Sequence, residues 1–158
     1  MLTTIAAIVV LLVLSAFFSG SETALTATSR PLMHQLEKKG NRRARMVNRL
    51  IEHKDNLIGA ILLGNNLVNI LASALATSAL IELFDEAGIA YATFLMTALV
   101  VLFAEILPKT YALQNAERTA LAIAPVIRPA VAFFSPVTRA TQAVVRGALW
   151  LFGVRLQA

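Results

Sequence analysis

Cysteine is absent from the 158 residues, which excludes a disulfide framework, a thiolate metal site and a cysteine nucleophile. Charge is scarce as well. Charged residues make up 15% of the chain, against roughly 25% in an ordinary soluble domain, and this excludes a typical water-soluble enzyme. The two histidines, His34 and His53, fall in a basic stretch where a surface role fits better than ligation. Any metal chemistry must therefore rest on oxygen. No grouping of nucleophile, base and orienting residue is present, so the chain is not expected to be an enzyme and no catalytic residue or organic cofactor is assigned.

What the chain does have is apolar length. Hydrophobic residues reach 58%, and the mean hydropathy is +0.71. Residues 4–18 are apolar but for Thr4 and Ser15, and with the weakly polar residues that follow they reach spanning length. Residues 56–81 carry no charge, and residues 89–107 carry one, Glu105. At about 1.5 Å per residue both can cross the hydrocarbon core. The expected fold is an all-α integral membrane domain with three transmembrane helices, at about residues 4–27, 56–81 and 89–107.

Residues 119–134 form a fourth apolar stretch, but Arg128, Pro125 and Pro129, with Pro136 beyond, argue against a straight, lipid-facing helix. From Val137 the apolar positions recur at three- and four-residue spacing, opposite Arg139, Gln142 and Arg146. This reads as an amphipathic helix in the interface, so residues 117–153 are expected to form a juxtamembrane belt.

A net charge of +5 does not point to nucleic acid, because the basic residues sit between apolar runs and not on a polar face. It points to topology. Arg30, Lys38, Lys39, Arg42, Arg43, Arg45, Arg49 and Lys54 lie between the first two runs and place residues 30–54 in the cytoplasm. The connection between the second and third runs carries only Glu82, Asp85 and Glu86, which suits the outside. Lys109, Arg118, Arg128, Arg139, Arg146 and Arg155 put the C-terminal part inside again, leaving the N-terminus outside, in a plasma (inner) membrane protein. The basic segment should form a hairpin of two short helices, with Ser29-Arg30-Pro31 as a start and Gly40-Asn41 as a stop and restart. It serves as a topology anchor or as a contact for an anionic lipid or a partner. Asp55-Asn56 is expected to cap the second span.

The candidate functional residues are those that lipid should reject: Ser19 and Ser21 in the first span, Asn65, Asn66 and Asn69 in the second, Glu105 in the third. Counting along each helix brings Ser19, Asn65 and Glu105 to similar depths. Ser19-Gly20-Ser21, Gly64 and Pro108 give each helix a reason to bend or to expose carbonyls there. A carboxylate with hydroxyl, amide and carbonyl oxygens suits a hard cation such as Mg²⁺, Ca²⁺ or Na⁺. The same residues could instead only join helices: Asn65 and Asn69 by interhelical hydrogen bonds, Glu105 by pairing with Lys109, the serines by bonding their own helix. A stripe of Ala72, Ala76 and Ala79 beside Ser73 and Thr77 permits close helix approach and is the expected homodimer face.

The strings Phe18-Ser19-Gly20-Ser21-Glu22-Thr23-Ala24, Gly64-Asn65-Asn66-Leu67-Val68-Asn69 and Glu105-Ile106-Leu107-Pro108-Lys109 resemble the three signatures of the transmembrane domain of the CorC / cyclin M magnesium transporters. The resemblance covers nearly the whole chain. It implies a homodimeric Mg²⁺ exporter that exchanges Na⁺, with three spans per subunit and a juxtamembrane belt. Carried over by residue, it implies metal ligation by Ser19 and Ser21, Asn65 and Asn69, and Glu105. The soluble regulatory domains that accompany this domain in the family do not occur in these 158 residues and are expected in a full-length chain. The alternative reading is a membrane sensor or interaction module that transports nothing.

Overall fold

A computed structural model describes residues 2–153, and all their regular structure is helical. Seven α-helices follow in order: α1 (Leu2–Ala27), α2 (Arg30–Lys38), α3 (Arg42–Glu52), α4 (Lys54–Phe84), α5 (Ala87–Leu99), α6 (Leu107–Gln114) and α7 (Ala116–Leu151). A π-helical segment, Val100–Ile106, joins α5 to α6 without interruption, so Ala87–Gln114 is one membrane-length element. This is an all-α integral membrane architecture. Four elements are long and apolar enough to cross a bilayer: α1, α4, the α5–α6 element and α7.

The hairpin of α2 and α3 forms where capping chemistry calls for it. The Ser29 hydroxyl accepts the Leu32 N–H, Pro31 stands in the first turn, and the Asn41 amide oxygen accepts the N–H groups of Arg43 and Ala44. Between the helices Gly40 turns the chain at φ 90°, a conformation open to glycine. Buried Met33, Ala44, Val47 and Leu50 hold the pair together, and buried Asn48 ties it further by donating to Met33 O and to Glu37 Oε2 at 2.8 Å. The cap expected at Asp55-Asn56 is not formed. The helix begins one residue earlier, at Lys54, with His53 in the capping position, and Asp55 falls in the first turn where its charge favours the helix dipole.

At the other end of α4 the chain reverses within Asp85 and Glu86, with Asp85 at φ 54° and its N–H bonded to Ile81 O. Gly88 then passes so close to the Leu80 backbone that a Cβ would lie 2.4 Å from it. The bend is thus built on absent side-chain volume.

Two apolar clusters follow. The larger one joins Phe18, Ala24 and Leu25 of α1, Leu57, Ala60 and Ile61 of α4, the hairpin, and Ala120, Ala124 and Ile127 of α7. The smaller one joins Ala72 and Ala76 of α4 to Met96 of α5, with Ile8, Leu11 and Leu12 of α1 packed on it. That second cluster takes up two residues of the expected dimer face. Ala72 and Ala76 are 0% and 4% exposed within a single subunit, because small residues let α1 and α5 approach α4 there.

Helix α7 joins the proline-containing stretch and the expected amphipathic helix into one element. It runs unbroken from Ala116 to Leu151 through Pro125, Pro129 and Pro136. Each proline removes one N–H donor, and the losses are spread over separate turns of a helix held by its packing. Its start is fixed by Glu117, which accepts the Ser29 N–H beside the end of α1. Farther on, Arg128 lines a cavity with Arg49, His53 and Asn56, Phe134 meets Gly64, Thr138 meets Gly59, and Gln142 lies beside Glu52 and Asn56. The helix therefore approaches and leaves α4 at the same level, near the Lys54 end. It lies across α4, and beyond Thr138 it is largely uncovered, with Val144, Trp150 and Leu151 exposed. Arg155, one of the residues behind the expected orientation, is outside the described residues.

Candidate ion site at the α1–α4–α6 junction

The polar residues singled out in α1 lie on its buried side. Ser15 and Ser19, one turn apart, are 0% and 1% exposed, and Ser21 is 1% exposed. From α4, Asn65 meets this face directly: the Ser15 hydroxyl donates to Asn65 Oδ1 at 2.6 Å. Asn69, one turn farther along α4, donates from Nδ2 to the same oxygen at 3.4 Å. Its own Oδ1 is buried and has no hydrogen-bond partner. An orphaned buried carbonyl oxygen is costly, and here it sits beside two other oxygen-bearing side chains.

The third element reaches the same region through glycine. A Cβ on Gly20 would lie 3.5 Å from Pro108 Cβ, so Ser19-Gly20-Ser21 is in close contact with the start of α6. Successive membrane-length helices reverse direction, so α1 and the α5–α6 element run parallel. Glu105, three residues before Pro108, then stands about 4.5 Å back along the axis, between the heights of Ser15 and Ser19. It is half-buried and lies in the π-segment, whose closing N–H, that of Leu107, bonds Leu102 O five residues back. The widening has a local cause. Pro108 has no N–H to give to the carbonyl of Ala104 and its ring crowds that group. Such π-segments recur at functional sites.

The structure therefore joins Asn65 and Asn69 to each other and to α1, and buries Ser19 on the same face. It commits the Ser21 hydroxyl proton to Phe17 O at 2.6 Å, leaving only the oxygen lone pairs for other use. Asn66 is exposed and apart from the group. Among the described residues no hydrogen bond links Glu105 to Ser19, Asn65 or Asn69. Ser15 was missed by the sequence reading. Its signal was its position one turn before Ser19, within a run whose one other polar residue is Thr4. Among the described residues no three His, Cys, Asp or Glu side chains gather to hold a metal, so the region offers neutral oxygens and a single carboxylate.

Residues 6–158 match the cyclin M transmembrane N-terminal domain. The chain belongs to that family. It is 39% identical over 142 residues to the inner membrane protein YfjD of Escherichia coli (strain K12), a match covering 90% of this chain and 33% of that protein. A UPF0053 protein of Haemophilus influenzae is 36% identical, over 94% of this chain and 36% of its own length. A second Haemophilus influenzae protein, named as a polyamine export protein, is 31% identical over 85% of this chain and 34% of its own length. The chain thus spans about a third of the length of these relatives.

Proposed function

We propose that this domain carries Mg²⁺ across the membrane, outward and in exchange for Na⁺, through a site made by Ser19, Asn65, Asn69 and Glu105, with Ser21 beside them. The observation that carries the reading is the buried, unpartnered Oδ1 of Asn69 within the Ser15–Asn65–Asn69 group. A cation supplies what that oxygen lacks. Mg²⁺ demands oxygen ligands in near-octahedral array at about 2.1 Å and keeps part of its water shell. Amide and hydroxyl oxygens can meet that demand in part, and Glu105 supplies formal negative charge to offset the ion's own. The resemblance of its three motifs to those of the CorC / cyclin M magnesium transporters supports the choice of ion.

In this reading the subunit crosses the membrane three times, with the N-terminus outside and the α2–α3 hairpin inside. Helix α7 forms the belt on the inner side, which its packing across the Lys54 end of α4 supports. Two copies assemble, through a surface other than the Ala72–Ala76 stripe already used within the subunit.

One observation favours a second reading. A relative is named for polyamine export, so an organic polycation is a rival cargo. Purified protein in liposomes, with Mg²⁺ and Na⁺ gradients imposed, tests both. Mg²⁺ flux that depends on the Na⁺ gradient and is blind to added putrescine supports the proposal. Putrescine flux without Mg²⁺ flux overturns it in favour of the rival, and flux of neither supports a sensor or interaction module.

A further inference from the structure

Away from the ion site, the outer face of α3 and the middle of α7 enclose a cleft of unusual composition. Arg42, Arg45 and Arg49 follow at three- and four-residue spacing and so share one face of α3, and Arg128 faces them from α7. These four arginines line one cavity. A second cavity, of about 270 Å³, shares Arg49, Arg128 and Met46 with it and is floored by Leu50, Leu57 and Val131. Among the described residues no acidic side chain lines either cavity.

Arg128 is the anomaly that needs a partner. It is the one charged residue in the apolar stretch 119–134, and it stands exposed on α7 opposite Arg42, Arg45 and Arg49 of α3. Arginines gathered in one cleft repel one another unless an anion meets them, and planar guanidinium groups match phosphate oxygens in pairs. Four arginines together can reach both non-bridging oxygens of a phosphodiester. The adjoining cavity also carries His53 and Asn56, but its surface is mainly apolar and suits a hydrocarbon chain on the same molecule.

We propose that the cleft between α3 and α7 binds an anionic phospholipid, its phosphate held by Arg42, Arg45, Arg49 and Arg128 and the start of an acyl chain lying on Leu50, Leu57 and Val131. The lipid ties the hairpin to α7 across a junction where four like charges would otherwise repel. The inference is independent of which ion the domain carries.

Native mass spectrometry of the delipidated 158-residue chain, with phosphatidylglycerol, phosphatidylcholine or inorganic phosphate added, tests it. Phosphatidylglycerol should remain bound at collision energies that strip phosphatidylcholine. Arg128→Gln and the double change Arg45→Gln with Arg49→Gln, on different helices and at exposed positions, should each cut its retention at least fivefold while circular dichroism stays unchanged. Arg139→Gln, outside the cleft, should leave retention as it is. Equal retention of the two lipids would overturn the proposal, as would retention unchanged in both arginine variants. So would displacement of phosphatidylglycerol by equimolar inorganic phosphate, since that would make the cleft a site for free anions.

Discussion

Ser15 of α1 and Asn65 of α4, fifty residues apart, share a 2.6 Å hydrogen bond inside the bundle. The bond fixes the register of α1 on α4, and with it the height of Ser19 against Asn69. Ser15→Ala removes the donor and leaves Asn65 Oδ1 with the long contact from Asn69 alone. Interhelical hydrogen bonds in membranes are modest, so the loss should be about 0.5–1.5 kcal/mol. Thermal unfolding in detergent checks this, and a melting temperature equal to the wild type would show that apolar packing alone sets the register.

Gly88 and Gly147 should respond in opposite directions to alanine. At Gly88 a Cβ meets the Leu80 backbone, which cannot move without opening the α4–α5 turn, so Gly88→Ala should destabilise by roughly 1–3 kcal/mol. Gly147 lies inside α7 with open space around it, and Gly147→Ala should stabilise that helix by about 0.5–1 kcal/mol. Paired unfolding curves give both signs in one experiment.

Much of this architecture was legible in the sequence because membrane helices declare themselves through uncharged length and through caps. The hairpin starts at Ser29 and Asn41 followed from side chains that accept their own helix's N–H groups. What escaped was decided by neighbours. The continuity of α7 across three prolines depends on packing against α1, α3 and α4, and no local rule contains that. The Ala72–Ala76 stripe correctly announced close helix approach, but its partner is α1 and α5 of the same subunit, and small residues do not say whose helix they admit. In the candidate site, the grouping of Asn65 with Asn69 was readable from their one-turn spacing. The pairing with Ser15 and the π-segment around Glu105 were not, since both arise where α1 and α6 meet.

The stripe yields its own prediction. Ala76→Leu should lower stability by about 1–3 kcal/mol, because a larger side chain must displace Met96 or α1. Size-exclusion with light scattering on the same protein would reveal whether assembly changes. Loss of the dimer with an unchanged melting temperature would return this face to the subunit interface.

Topology is open to labelling. With three spans, a cysteine introduced as Glu86→Cys should react with a membrane-impermeant maleimide on intact cells, and one introduced as Arg139→Cys should not. Labelling at position 139 from outside would mean that α7 crosses the bilayer, as its length and composition allow.

In the proposed site Glu105 supplies the charge for a hard cation held with Ser19, Asn65 and Asn69. Glu105→Gln keeps the shape of the side chain and removes that charge, and neutral oxygens cannot replace it. Isothermal titration of Mg²⁺ into the wild type and into Glu105→Gln, Asn65→Ala and Ser19→Ala measures the contribution of each side chain. Binding should vanish in Glu105→Gln with the fold intact, and should weaken by about 1–3 kcal/mol in each of the other two. Wild-type affinity in the Glu105→Gln protein would contradict the account.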